Sequence, residues 1–305
     1  MKKNNIFLTL VLFAVFSGCS PKINQVKYAK GEPTQDFGYP EDKKIERSFY
    51  LLGDAGYSPP GGSSEALLAF KTYIDSVKQI GNYTIFLGDN VYPAGLVAED
   101  HPERELMEYR LDAQIDAVEN YDGKLFFMAG NHDWYAQGLP GLKRQVDYLR
   151  EKLKQDDIFY PEPGCGLASI EVNDKIQILV ADSQWFLEDW DKNPKINDDC
   201  AEIKTREAFF QEIDSELKKN QTKTVLFVIH HPLYTNGLHG GKFALNNHLF
   251  PTQRKLPLPI LGTIVNFLRT TGGVTSTDLQ NERYKAMRKR IETIAGRWGN
   301  VIFAS

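Results

Sequence analysis

Six short apolar runs limit what this chain can become: SFYLLG, YTIFLG, KLFFMAG, IQILVAD, TVLFVIHH and NVIFAS. Each has the length of a β-strand and almost no polar interruption, the pattern of a strand buried on both faces. Between them, apolar residues return every three or four positions. In SSEALLAFKTYIDSVKQIG, Leu67, Phe70, Ile74 and Val77 share one helical face, and Ser63 or Ser64 can cap the start. ERELMEYRLDAQIDAVENY, GLKRQVDYLREKLK, AEIKTREAFFQEIDSELKKN and NERYKAMRKRIETIAGRW repeat the pattern. Strands alternating with helices specify an α/β fold around a largely buried sheet. With 305 residues, 42% apolar and 25% charged, the chain can build a sizeable core without a disulfide scaffold.

The N-terminus follows another pattern. Lys2 and Lys3 precede the run IFLTLVLFAVF, which is followed by SGCS. A basic start, a short apolar run and small residues make a secretory signal, too short to span a bilayer. Its end at Cys19 resembles a bacterial lipoprotein box, with Phe16 where leucine is commoner. Residues 1–19 are therefore expected to be a lipoprotein signal peptide and Cys19 the acylated residue; cleavage nearby without acylation is the alternative. Residues 20–46 are polar and aperiodic, a tether, and 47–305 form the folded domain. Such a protein is exported and anchored by lipid in the cell envelope. Once Cys19 is set aside, Cys165 and Cys200 remain, a pair suited to one disulfide in an oxidising compartment; two buried thiols are the alternative. A net charge of −4 gives no case for nucleic acid as a partner.

Two segments stand apart. The helix RYKAMRKRIETIAGRW is rich in base and reads as a solvated face. FPTQRKLPLPILGTIVNFLRTTGG, 250–273, is apolar and broken by proline within an insertion at about 240–280. It is expected to cover the core, since apolar segments inside a domain are usually packed. A lid, a partner surface or a membrane-touching segment is the alternative.

The strand ends carry the chemistry. The first run ends in GDAG, with Asp54; the second in GDNVY, with Asp89 and Tyr92. The third ends in GNHDW, with Asn131, His132 and Asp133; the fifth in IHHP, with His230 and His231. In α/β sheets, ligands bind in the crevice outside the carboxyl ends of strands. A single Gly-Asp at such an end is often only a turn former. Four endings of complementary type imply more. Carboxylate, phenolate, amide oxygen and imidazole together suit iron, zinc or manganese, whereas calcium seldom takes imidazole and structural zinc takes thiolate.

These blocks, in this order, resemble the calcineurin-like metallophosphoesterases, and Tyr92 narrows the resemblance to the purple acid phosphatase branch. It runs from about Ser48 to Ser305, and NHDWYAQGLPGLKRQ, DSQWFLEDWD and NGLHGGKF look like lipoprotein members of that superfamily. The resemblance implies a four-layer α/β/β/α sandwich and two metal ions: Fe(III) with iron, zinc or manganese. Asp89 would bridge them, with Asp54 and Tyr92 on the first and Asn131 and His230 on the second. His132 and His239 would contact substrate and protonate the leaving oxygen, with Asp133 orienting His132 or its neighbours. Asn90, a turn former, and His231 are candidate substrate contacts. The implied reaction is hydrolysis of phosphomonoesters by a metal-activated hydroxide.

The resemblance further implies two histidines in a Gly-His-x-His block after a last strand. NVIFAS supplies the strand and ends the sequence, and none of the six histidines falls there; His101 and His248 are expected on surface loops. The chain therefore reads as C-terminally truncated, short of one ligand per metal, with a further domain or an outer-membrane partner beyond Ser305. A phosphodiesterase or nucleotidase, or a non-catalytic envelope scaffold, are the competing functions. Asp182, Trp185 and Asp191 are weighed as a further site and read as wall.

Overall fold

YTIF, the most buried run of the N-terminal half, sits at the centre of a three-stranded sheet. The computed structural model describes residues 45–305 except 78–80, 236 and 252–255; the signal segment, Cys19 and the tether up to residue 44 lie outside the described residues. Strands β1 (Phe49–Leu52), β2 (Tyr83–Phe86) and β3 (Lys124–Phe127) pair in parallel in that order. Phe49 lies opposite Tyr83, and Tyr83 opposite Lys124. Helices α1 (Glu65–Ser76) and α2 (Arg104–Ala117) make the crossovers. Of the two candidate caps, Ser64 serves: its hydroxyl accepts from the Leu67 N–H at 3.3 Å.

After α3 (Asn131–Trp134) and α4 (Leu139–Leu153) the chain builds a second sheet. It begins with a strand absent from the sequence reading, β4 (Leu167–Glu171), antiparallel to β5 (Ile176–Ala181). LASIE alternates instead of running apolar, as suits an edge strand with one face towards solvent. Then β6 (Thr224–Ile229) and β7 (Val301–Ala304) add in parallel. Between β5 and β7 come α5 (Ser183–Leu187), α6 (Arg206–Lys219), α7 (Leu245–Leu249), α8 (Pro259–Gly272) and α9 (Glu282–Trp298). Thr205 caps α6 and Asn281 caps α9.

The two sheets face each other, so the central strands bury both faces in different company, whereas β1 and β7, expected to be buried too, are edge strands that leave Leu51, Ile302 and Phe303 exposed. Tyr83, Ile85, Leu87, Phe126 and Met128 meet Ile178, Val180, Leu226 and Val228 between the sheets. The alternate residues point outward to helices: Phe86 and Phe127 cluster with Leu67, Met107 and Leu142, and Leu179 and Phe227 with Phe209, Ile213, Met287 and Ile291. Each such side chain contributes about 1.5–3 kcal/mol by leaving water. The result is a helix–sheet–sheet–helix sandwich. A Cys165–Cys200 disulfide, with Cα atoms 5.1 Å apart, ties the approach to β4 to the loop before α6.

The insertion departs from expectation. Residues 259–272 form α8, and only Gly262 and Asn266 in it are buried. Its large apolar side chains lie in solvent instead of covering the core. His248 lies within α7 rather than on a loop.

Candidate metal centre

Two loops lean on each other at the carboxyl ends of β1 and β2. Asp54 N–H donates to Gly88 O at 3.1 Å, Gly56 N–H to Asp89 O at 3.0 Å, and Tyr92 N–H to Gly56 O at 3.1 Å. Asp54 (φ 56°) and Asp89 (φ 55°) are held in the left-handed region, at a cost of roughly 1–3 kcal/mol each for a non-glycine residue. That conformation turns both carboxylates towards Tyr92.

The Tyr92 hydroxyl lies 2.6 Å from Asp54 Oδ1 and 2.8 Å from Asp89 Oδ2. One phenolic proton serves two carboxylate oxygens. Burial, then the hydrogen bond to Asp54 and the charge of Asp89, hold that proton more tightly than an ordinary tyrosine would. No lysine or arginine among the described residues pairs with either carboxylate.

The other oxygen of Asp89 faces a second group. His230 Nδ1 lies 2.9 Å from the Leu87 carbonyl, which can only accept, so Nδ1 carries the proton. Its Nε2 lies 3.2 Å from Asn131 Oδ1 and 3.4 Å from Asp89 Oδ1. Asn131 is oriented by its amide, which donates to the Tyr135 hydroxyl at 2.8 Å. His230 Nε2, Asn131 Oδ1 and Asp89 Oδ1 converge, with Asp89 Oδ1 also accepting from the His132 N–H at 2.9 Å, a geometry that suits a cation. Among the described residues no three His, Cys, Asp or Glu side chains meet at one point; the donor sets close only when Tyr92 and Asn131 are counted. These oxygen and imidazole donors fit a first-row transition metal better than calcium.

Glycine permits the approach. Gly88 has φ +97°, and a Cβ there would strike the Gly130 backbone; a Cβ on Gly130 would strike Asp89 and press on the His230 ring.

Three sequence assignments are corrected. Asp133 is fully buried, and its oxygens accept from Asn90 N–H (3.0 Å), Asn90 Nδ2 (3.1 Å), Gln145 Nε2 (2.9 Å) and Gly130 N–H (2.7 Å). It locks the β2 and β3 loops together from behind, away from the open side of the site, and bonds to neither His132 nor His239. Burial, then the Asp89 charge, pushes its carboxyl up to about 6. Asn90 is equally buried, donating to Met128 O at 2.8 Å, so it too is no substrate contact. His231 points the opposite way from His230, as strand alternation requires. Its Nδ1 meets Ser183 Oγ at 2.7 Å, its ring packs on Tyr284, and burial holds its pKa well below the ordinary value.

His132 stands at the mouth. Its Nδ1 lies 2.5 Å from Pro93 O, leaving Nε2 to face outward, 4.0 Å from Asp89 Oδ2. His239 occupies a 3-10 turn at Leu238–Gly240; burial, then Arg269, lowers its pKa. Asp182 caps α5 and receives the Trp134 indole at 3.1 Å, Trp185 is in the core and Asp191 is exposed, so these three form wall and support. Sequence reasoning missed Tyr57 and Tyr135. Tyr57, Tyr92, His132 and Tyr135 make a continuous row of rings with centroids 6.1, 4.3 and 4.9 Å apart. The Arg110 guanidinium sits 4.8 Å over Tyr57 and donates to Tyr92 O at 2.6 Å. A tyrosine just after GDAG and another just after NHDW were the available signals.

A family model described as calcineurin-like phosphoesterase matches residues 48–261. Purple acid phosphatase 7 of Arabidopsis thaliana is 24% identical over 274 residues, covering 86% of this chain and 75% of that protein. Purple acid phosphatase 17 of the same plant is 22% identical over 258 residues, covering 82% and 68%.

Proposed function

This chain belongs to the calcineurin-like phosphoesterases, a metal-dependent hydrolase family, and on that footing we propose that it hydrolyses phosphomonoesters at a dinuclear centre. The observation that carries the proposal is the division of one carboxylate. Asp89 Oδ2 faces Tyr92 and Asp54, while Oδ1 faces Asn131 and His230. Asp89 would thus bridge two cations, with Asp54 and Tyr92 holding one and Asn131 and His230 the other. The phenolate favours Fe(III) at the first position; iron, zinc or manganese suits the second. When bound, such a pair acidifies water towards neutral pH and neutralises charge on the phosphoryl oxygens.

The protein's own groups do the rest. His132 presents Nε2 at the mouth, where it can hydrogen-bond a phosphoryl oxygen. His239 can give a proton to the departing alkoxide. Asp133, through Asn90 and Gly130, keeps the two ligand loops in register. The basic start, apolar run and Cys19 support export and lipid anchoring in the cell envelope as the setting.

Elemental analysis of the purified chain, paired with turnover of p-nitrophenyl phosphate and bis-p-nitrophenyl phosphate, tests the proposal. Bound transition metal, up to two per chain, and faster monoester than diester cleavage are expected, with occupancy and turnover lowered by the ligands this chain lacks. A preference for the diester would move the assignment to a phosphodiesterase; a metal-replete protein inert to both would leave a scaffold.

A further inference from the structure

Helix α8 is amphipathic the wrong way round for a helix that belongs to a core. Gly262 and Asn266 are its buried positions. Gly262 packs on the His248 carbonyl, Arg269 pairs with Asp278 at 2.7 Å, and Thr270 donates to Gly241 O at 3.2 Å. At 100° per residue, 262, 266, 269 and 270 mark one face of the helix. The opposite face carries Ile260, Leu261, Ile264, Val265, Phe267 and Leu268, between 37% and 74% exposed. Six large apolar side chains on one exposed face mark an interaction surface, not scatter.

We propose that α8 lies in the headgroup region of an anionic bilayer and holds the domain against it. Three observations favour lipid over protein. Residues 237–268 contain Lys242, Arg254 and Lys255 and no Asp or Glu, in a chain whose net charge is −4. A basic segment that carries an apolar helix face is the sequence pattern of an interfacial helix. The helix has 14 residues, about 21 Å, too short to span a bilayer yet sufficient to lie along one. The same chain starts with an apolar run ending at Cys19, which gives it a reason to be at a membrane. Thr270 and Arg269 join α8 to the segment that carries His239, so contact with lipid presents the catalytic mouth at a defined angle to the surface.

The test uses the full chain with Cys19→Ala, so that no acyl group contributes, and with Phe267→Trp as a reporter on the outward face. Vesicles of phosphatidylcholine, with or without phosphatidylglycerol, contain brominated acyl chains. The new indole is expected to lose roughly half or more of its emission in anionic vesicles, as for a side chain seated about 5–10 Å into the interface. Quenching should weaken with salt and disappear when Ile264→Ser and Leu268→Ser are added, while hydrolysis of soluble p-nitrophenyl phosphate continues unchanged. Binding of the chain through its N-terminal run without quenching at position 267 would overturn the proposal. So would a concentration-dependent dimer in sedimentation velocity that Ile264→Ser abolishes, since a second copy would then cover the face.

Discussion

His230 Nε2 stands 3.4 Å from Asp89 Oδ1, while the other imidazole nitrogen spends its proton on the Leu87 carbonyl. A cation between these two atoms would turn the encounter into ligation. Asp89→Asn keeps the shape and removes the shared charge. Metal content should fall below one per chain, and turnover by at least about a hundredfold, the upper range of changes even at residues that only support ligands. Inductively coupled plasma analysis beside a phosphatase assay reads both.

Gly130 binds nothing itself, yet Gly130→Ala should cost metal affinity. The added methyl would press on Asp89 and the His230 ring. A tenfold or larger loss in metal titration is expected, with far-UV circular dichroism unchanged. Normal affinity would show that the two loops can part without harm.

Asp133→Ala removes the acceptor for four donors, three of them in the loops behind the site. Buried donors left without partners should cost about 3 kcal/mol or more in urea denaturation. Asp133→Asn, which keeps one acceptor oxygen, should recover part of it.

Stability of the chelator-treated protein should fall as pH rises from about 4 to about 7. Burial raises the Asp182 carboxyl from 3.8 to about 7, with hydrogen bonds from the Trp185 backbone and the Trp134 indole opposing the shift. Across that window the unfolded chain has released the proton that the native state retains, so each step up in pH favours unfolding. The total is on the order of 2–4 kcal/mol, and Asp133 adds the same sign over a narrower range. Asp182→Asn should flatten most of the slope in urea midpoints measured at several pH values.

Tyr57 is 66% exposed at the end of the aromatic row. Stacking of an aromatic leaving group there is worth about 0.5–1.5 kcal/mol. Tyr57→Ala should raise KM for an aryl phosphate about two- to tenfold and leave glycerol phosphate unaffected. Equal effects on both substrates would instead point to a disturbed Arg110 and Tyr92.

Asp54, Asp89, Tyr92, Asn131 and His230 could be read from the sequence because each follows an apolar run that ends at a strand terminus. Their convergence follows from topology. What lay hidden was side-chain direction one residue away. Asn90 lies one residue and Asp133 two residues from a candidate ligand in the chain, yet both face into the protein, and only the contact between the β2 and β3 loops decides that. The choice between His230 and His231 was accessible through strand alternation, although His231 still misled as a substrate contact. β4 escaped because Ser169 and Glu171 interrupt its apolar pattern. The burial of α8 was misjudged because hydrophobicity alone does not say which side of a helix meets the domain.

The hydrogen bond from His230 to Leu87 joins β6 of one sheet to the end of β2 in the other. The other four candidate ligands belong to the first sheet, so the metal pair would act as a clasp between two slabs that also pack through side chains such as Met128 and Ile178. The slabs cannot drift independently. A substitution that swells or shrinks the packing between them also changes the span of the clasp, so mutations deep in the interior should show epistasis with the ligands.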